Sequence, residues 1–433
     1  MAKTGRLIWR TRISILASLL MVAALSVRAD DEPTSGPVAL TLPRLLDIAV
    51  QNNPELAVAR ARADAARGQL IQAGLYPNPV VAPGVEELGN KDGPAGISGI
   101  AIEQEIITAG KLRLAQAAAA YGVAAADWQA TTRWFEVVTR VRQAYYEALT
   151  ANRELETSEL AVKIAQDGLD AVRKLEKAGV RARPDVLRAL VEVDQNRVRL
   201  QAAQQRQEAA RRLLAAVIGL PALPPGPLAG SIEQPTPIYV YQASLETVLV
   251  RSSEVQAAQA AIRQAEQLLL RAQAERIPNV RVLVRPGYSE PDKRSVEVNL
   301  ETAVALPLFN RNQGNILAAE ADVRRATADA RAVELRLTER LATAFRRYAA
   351  AKEQVEIYDK QILPNADEAL RLVRLGYERG DPKYDYTAVL EAQRTLVQAR
   401  LMDVQARGEL WRAASEIAGL LQDDAGLPPC PTR

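Results

Sequence analysis

The stretch VEVNLETAVALPLFNRNQG, residues 296–314, together with the helical run that follows it to Gly376, decides the fold. In its first part Val296, Val298, Leu300, Thr302, Val304 and Leu306 alternate with Ser295, Glu297, Asn299, Glu301, Ala303 and Ala305. Period two of this kind is the signature of a strand with one apolar and one polar face, and the run is about as long as a tilted membrane strand. After Gly314 the period changes. From Ile316 an apolar or small residue recurs at 319, 323, 326, 330, 333, 337, 341, 344, 348, 351, 355, 358, 362, 366, 369 and 373, sixteen steps over 57 residues. The spacing lies between a heptad seam and a straight α-helix. No Gly interrupts the run and its only Pro is Pro364. At ~1.5 Å per residue the rod is on the order of 95 Å long, so it requires neighbours of similar length to cover its stripe.

Composition agrees with long helices. Aromatics are 4% of the 433 residues, and Gly and Pro gather in a few places. The formal charge is +3, but Lys3, Arg6, Arg10, Arg12 and Arg28 all lie in the first 29 residues, which hold no acid; the rest of the chain carries 50 basic and 52 acidic residues. The balance gives no indication of nucleic-acid binding. Residues 1–29 read as a secretory signal: a basic start, the apolar run Ile13 to Val27, and Val27-Arg28-Ala29 before Asp30 as a cleavage site. The alternative is an uncleaved anchor. Cys430 is the single cysteine, in a Pro-rich tail (421–433), and cannot form an internal disulfide.

Residues 40–220 form a first unit. A short helix from Thr41 restarts at Asn53-Pro54-Glu55 and ends at Gly74-Leu75-Tyr76-Pro77-Asn78-Pro79. Val80–Leu88 and Ile97–Ile106 are candidate strands around a turn-rich Gly89–Gly96. A rod from about Ala109 to Ala178 follows, then a hairpin at Gly179 and a helix from Pro184 to about Ile218. After a Pro-rich linker, 221–241, the plan repeats in 242–420, with strands Val280–Arg285 and Val296–Leu306 around a second loop, Pro286 to Ser295. Pro278-Asn279 answers Pro77-Asn78 and Gly380 answers Gly179, both at an offset of 201, and Gly419-Leu420 stands 200 residues after Gly219-Leu220. A steady offset marks a duplication. The fold class expected is mainly α with a small β part: a duplicated long-helix coiled-coil bundle with two strand pairs at one end and two hairpins at the other. Four strands with one polar face cannot close a water-filled barrel, so the chain is expected to oligomerise. Pro364 has no counterpart in the first unit, where Lys163 stands, and is expected to kink one rod.

This plan resembles the outer-membrane efflux proteins across residues 40 to 420. Gly74 to Pro79, Glu103-Gln104-Glu105-Ile106 with Gly110-Lys111, and Leu306-Pro307-Leu308-Phe309-Asn310-Arg311-Asn312-Gln313-Gly314 are similar to the branch that serves heavy-metal cation exporters. The resemblance implies a homotrimer with a twelve-stranded transmembrane barrel in the outer membrane, standing on a periplasmic helical tunnel. It also implies two partners, a periplasmic adaptor (membrane fusion) protein and an inner-membrane pump of the resistance-nodulation-division type.

In the family the tunnel narrows at the hairpin end, where carboxylates face the pore. Tyr386-Thr387-Ala388-Val389-Leu390-Glu391-Ala392 matches that pattern with Glu391 at the second acidic position and Ala388 at the first. The first unit has Asp185 at the first position and Arg188 at the second, in Pro184-Asp185-Val186-Leu187-Arg188-Ala189. Rings of Asp185 or Glu391 would favour cations, and Arg188 could pair with one of them. Solvated charges on helix ends are the plainer reading. Gly179, Val180, Gly380 and Asp381, at the end opposite the strands, are the expected adaptor-docking hairpins. The chain has no His, no nucleophile elbow, no phosphate loop and no Cys pair, so no catalytic constellation, His or Cys metal site or cofactor is expected. Tyr145-Tyr146, Trp128 and Trp134 read as packing residues. A soluble periplasmic coiled-coil scaffold or adaptor is the alternative reading, and it requires the strands to be an ordinary covered sheet.

Overall fold

The computed structural model describes residues 39–86, 97–288, 296–381 and 383–423. The signal at 1–29, Gly89–Gly96, most of the second loop, and Cys430 with the tail from 424 lie outside the described residues.

Two helices, α1 (Leu42–Asn52) and α2 (Pro54–Ala73), lead into strands β1 (Val80–Glu86) and β2 (Ile97–Ile106). The rod α3 (Lys111–Lys177) and its return helix α4 (Arg183–Val217) complete the first half. The second half repeats this with α5 (Tyr241–Arg251), α6 (Ser253–Ala274), β3 (Val280–Tyr288), β4 (Val296–Val304), α7 (Gln313–Ile357), a π-helical turn at Tyr358–Ile362, α8 (Leu363–Glu378) and α9 (Tyr386–Leu421). Asn53 and Ser252 occupy the same role, each accepting a hydrogen bond from the backbone of the glutamate two residues on, at 2.9 and 3.2 Å. Such caps satisfy donors that the helix itself leaves open.

The strands form one antiparallel sheet in the order β1-β2-β3-β4, so the two halves meet where β2 pairs with β3. The register carries Val81, Ile102, Val284 and Leu300 in one row across all four strands, and Val80, Glu103, Leu283 and Glu301 in the adjacent row. One face is therefore apolar, the other carries the charges, and Arg281 Nε lies 3.0 Å from Glu103 on the charged side. No described element covers the apolar face: Val81, Ile102 and Leu300 are 61%, 42% and 68% exposed. Contiguous exposed apolar surface of this kind marks a place of contact with protein or lipid.

Two strand limits differ from the sequence expectation. β3 continues past Arg285 to Tyr288, because Pro286 and Gly287 stay paired with Val298 and Glu297 of β4, while the β2 ladder is interrupted at Arg285 and Pro286. That interruption fits a proline with no N–H. β4 stops at Val304 instead of Leu306, where Pro307 removes a donor and the Leu308 N–H turns back to the Leu306 carbonyl at 2.9 Å.

The helices pack around three apolar clusters. The largest centres on the middle of α3, where Trp134, Val137, Val138 and Val141 meet Leu45 and Leu46 of α1, Leu214 of α4 and Trp411 of α9. The Pro-rich linker wraps this belt: Leu40 bridges to Leu228, Trp411 Nε1 donates to the Ile232 carbonyl at 2.9 Å, and Tyr348 Oη donates to that of Pro237 at 2.7 Å. Tyr146 stacks on Trp411 at 4.2 Å, so the aromatic residues here are packing groups. A second cluster joins α5, α6, α7 and α9 through Val248, Val255, Leu341, Tyr348 and Ile417.

The predicted seam of the second rod follows the buried side with one break after the π turn. Leu337, Leu341, Ala344, Tyr348, Ala351 and, beyond the turn, Ala366 are buried, but Ala369 is exposed while its neighbour Leu370 is half-buried. The cause is Pro364, whose ring would strike the Lys360 carbonyl in an α-helix. Here the turn widens and the Leu363 N–H bonds to the Tyr358 carbonyl, five residues back. One landmark of the duplication also moves. Gly419 lies inside α9, where an added Cβ would meet Thr139, and the left-handed residue matching Gly219 (φ 85°) at the helix end is Gln422 (φ 54°). The offset is thus 201 before the hairpins and 203 after them, the latter agreeing with Ala388 against Asp185.

Candidate functional site at the hairpin end

Both hairpins are built the same way. Gly179 and Gly380 each have φ 74°, a conformation that glycine adopts without the penalty a Cβ brings. Gly179 N–H bonds to the Glu176 carbonyl at 2.9 Å and Val180 N–H to that of Leu175 at 2.9 Å; Gly380 and Asp381 repeat this with Tyr377 at 3.2 Å and Gly376 at 3.1 Å. Space does not require either glycine, since nothing lies within 4 Å of an added Cβ. Val180 is exposed, and the Asp381 carboxylate accepts from the Lys383 N–H at 2.9 Å, folding the second tip into a compact turn.

Below the tips a third apolar cluster holds Val172, Val186, Ala189 and Val193 against Tyr377, Tyr386, Val389 and Leu390. It fixes the first turns of α4 and α9 side by side. Asp185 lies in the first turn of α4, where the helix dipole favours a carboxylate. Its Oδ1 is 3.4 Å from Arg188 Nη1, and the same nitrogen is 3.5 Å from Thr387 Oγ1 of α9. The structure therefore brings the half-buried Asp185 and the exposed Arg188 together as a pair one turn apart, an arrangement worth at most a few tenths of a kcal/mol. Glu391 is exposed on the second turn of α9 and outside that pair. Asp385 occupies the N-cap of α9, accepting from the Ala388 N–H at 2.8 Å, so the acid nearest the vacant first position has a capping role.

Two features of this end escaped the sequence reading. Glu192 is buried and receives Arg394 from α9 through Nη2 at 2.6 Å and Nε at 2.7 Å, with Asn196 Nδ2 on its other oxygen at 3.1 Å. This charge-assisted fork ties the two halves together one turn behind the exposed charges. Its signal was position: Glu192 and Asn196 continue the buried side of α4 set by Val186, Ala189 and Val193. Beside it the Arg181 guanidinium lies 4.3 Å from the centre of the Tyr377 ring, and burial pushes the Tyr377 and Tyr386 phenols above their ordinary pKa. No group of three or more His, Cys, Asp or Glu among the described residues could hold a metal ion.

The model of the outer membrane efflux protein family matches residues 45–220 and again 244–421, one match to each half. The chain belongs to the outer membrane efflux protein family. Among its relatives is the cobalt-zinc-cadmium resistance protein CzcC of Cupriavidus metallidurans, 26% identical over 88% of this chain and 90% of that protein. The family fold is seen in the solved structures of CusC (TM-score 0.77, 19% identity, 89% of this chain and 92% of that one) and of VceC, an outer membrane protein of Vibrio cholerae (0.72, 22%, 88% and 95%). OprN, an outer-membrane channel, gives a TM-score of 0.75 at 20% identity over 88% of this chain and 89% of that one. Among the described residues no helix is long and apolar enough to cross a membrane.

Proposed function

We propose that the chain is the exit duct of a tripartite efflux system, a trimer whose four-stranded sheets close into a twelve-stranded outer-membrane barrel above a periplasmic helical tunnel. The observation that carries this reading is the sheet itself, with a bare apolar face, a charged opposite face and two unpaired edges. A bilayer admits such strands only when every backbone group is paired, which ring closure by further copies provides. A soluble scaffold would need the apolar face covered from within the chain.

In this reading residues 1–29 are removed on export, and 40–220 and 242–420 are the two repeats, joined by the linker 221–241. The tips at Gly179, Val180, Gly380 and Asp381 receive a periplasmic adaptor, which couples the duct to an inner-membrane pump of the resistance-nodulation-division type. Asp185, Arg188 and Glu391 line the narrow end, where carboxylates repeated around an axis favour cations. The likeness to CzcC makes heavy-metal cations the first substrate class and organic compounds the second. The duct works passively, without catalysis or cofactor. The test is extraction of the mature chain from the outer-membrane fraction in detergent, with the mass of the complex and its conductance measured. A trimer whose cation preference falls when Asp185 and Glu391 are both replaced by Ala is the expected result; a soluble monomer overturns the reading.

A further inference from the structure

Behind the Glu192 fork the seam between the halves changes character. On α3 the buried side runs through Val172, Leu169, Ala165 and Ala161 and then, at the same helical spacing, into Ser158 and Glu154. On α4 it runs through Val186, Ala189 and Val193 and then into Asn196. α4 and α9 both pack along α3 and make little contact with each other. A cavity of about 360 Å³ is left between them, with Glu154 and Ser158 of α3 in its floor and Leu401 and Met402 of α9 on one wall. Small-molecule sites occupy about 300–1,000 Å³, so its size suits a small ligand.

The charges around this cavity are unequal. Arg199 and Arg206 of α4 and Arg394 of α9 border it, against one lining carboxylate, the buried Glu154. Both oxygens of Glu154 are engaged, Oε2 accepting from Arg206 Nη1 at 2.8 Å and Oε1 from Gln405 Nε2 at 3.4 Å. Arg394 is committed to Glu192 at 2.6 Å. Arg199 is left over: among the described residues it has no ion pair, and its one hydrogen bond goes to Asn196 Oδ1 at 3.4 Å. Three guanidinium groups thus meet two carboxylates. The excess positive charge lies at the exposed rim, beside the side-chain amide of Gln398. Like charges gathered in this way repel until an anion joins them. A guanidinium also presents its N–H donors in a fork that matches the oxygens of a carboxylate or phosphate.

We propose that this cavity binds a small molecule carrying a carboxylate or phosphate group, with Arg199 as its principal contact and Arg206 and Arg394 as flanking cations. The bound anion joins α4 of the first half to α9 of the second, and so reinforces the fork between Glu192 and Arg394. It is a site apart from the Asp185 and Arg188 pair at the hairpin end, and of opposite charge preference to a ring of carboxylates. Every group it uses belongs to one chain, so the proposal does not depend on the duct reading.

Isothermal titration of the full chain in detergent tests this, with inorganic phosphate and citrate as probes and sodium chloride at equal ionic strength as the reference. Saturable binding of either probe, one per chain, is expected. Arg199→Gln is expected to weaken it about tenfold or more, the loss of a charge-assisted contact. Because Arg199 has no carboxylate partner, this variant leaves no buried charge unpaired. Gln398→Glu sets a carboxylate at the rim and is expected to abolish binding. Arg197→Gln is the control: Arg197 lies on the same helix but outside the cavity, paired with Asp194 at 3.3 Å, and its loss is expected to leave the affinity unchanged. Heats equal to those of chloride overturn the proposal, as does an affinity that neither Arg199→Gln nor Gln398→Glu alters. An equal loss in Arg197→Gln also overturns it, since the anion is then a counter-ion of the surface at large. Should one of the two cavity variants fail to fold, the other decides.

Discussion

The two rods come from the same plan and end as different objects. α3 runs 67 residues without a break, whereas its counterpart is split into α7, a π turn of five residues and α8. α3 packs against α2, α4, α6 and α9 and buries side chains on several sides, from Trp134 and Val141 to Ala161 and Val172. α7 meets α6 and α9 and leaves Leu317, Leu335 and Ile357 exposed. Duplication copied the elements but not their surroundings: the first rod is an interior strut of the chain, and the second is a boundary strut with a face left uncovered. The boundary rod is also the one that carries the proline, and a clasp holds the turn it creates. Arg407 of α9 bonds both oxygens of Asp403 at 3.0 Å and reaches Asp359 at the start of the π turn.

The largest effect is expected from making the rods alike. Lys163→Pro puts a proline into the middle of the continuous α3, where its ring would strike the Glu159 carbonyl and one intrahelical hydrogen bond is lost. It should cost about 3 kcal/mol or more, read as a fall in the melting temperature of the detergent-solubilised complex. The reverse exchange, Pro364→Ala, is expected to change stability by less than about 1 kcal/mol, because the π turn is already relaxed around the ring. If a structure of Pro364→Ala keeps the π turn, then the Arg407 clasp and not the proline holds it, and the comparison changes its cause.

The hairpins are where the halves should agree. Gly179 and Gly380 share φ 74° with open space around both, so Gly179→Ala and Gly380→Ala should each cost on the order of 1 kcal/mol, through backbone strain alone. Equal melting shifts support the equivalence of the tips. A markedly larger loss at one of them would mean that its turn is held by contacts the other lacks.

How much of this was readable beforehand follows the range of the interactions. Periodicity exposed the rods and the strands because burial of one face is a local, repeating demand, as Leu337, Leu341, Ala344 and Tyr348 illustrate. Glycine marked the tips because positive φ is a property of one residue. The π turn was invisible, since the sequence gives Pro364 but not the choice between a kink and a widened turn. Gly419 misled for a related reason: a helical glycine chosen for close packing against Thr139 looks like a helix stop, while the true left-handed position is filled by Gln422. At the candidate site it was the resemblance to the family's motif that pointed to Asp185, Arg188 and Glu391. The fork between Glu192 and Arg394 joins residues 202 positions apart and needed the folded contact to be seen.

The smallest expected effect concerns the clasp and its dependence on pH. Burial pushes the Asp403 carboxyl above the ordinary aspartate range, while the Arg407 hydrogen bond and charge pull it down less strongly and Asp359 and Glu233 add repulsion. The folded chain then holds this proton more tightly than the unfolded chain does. The group's contribution to stability is full below the unfolded pKa of about 3.9 and is lost as pH rises through the raised folded value. Asp403→Asn cannot titrate at this position. The difference in melting temperature between the native chain and this variant should therefore shift in favour of the native chain as the solution is acidified through that window, and level off above it. Parallel curves would mean that Arg407 neutralises Asp403 as fully as water does in the unfolded chain. The boundary rod would then owe its turn to Pro364 and packing, with the clasp a consequence of the widened turn and not one of its causes.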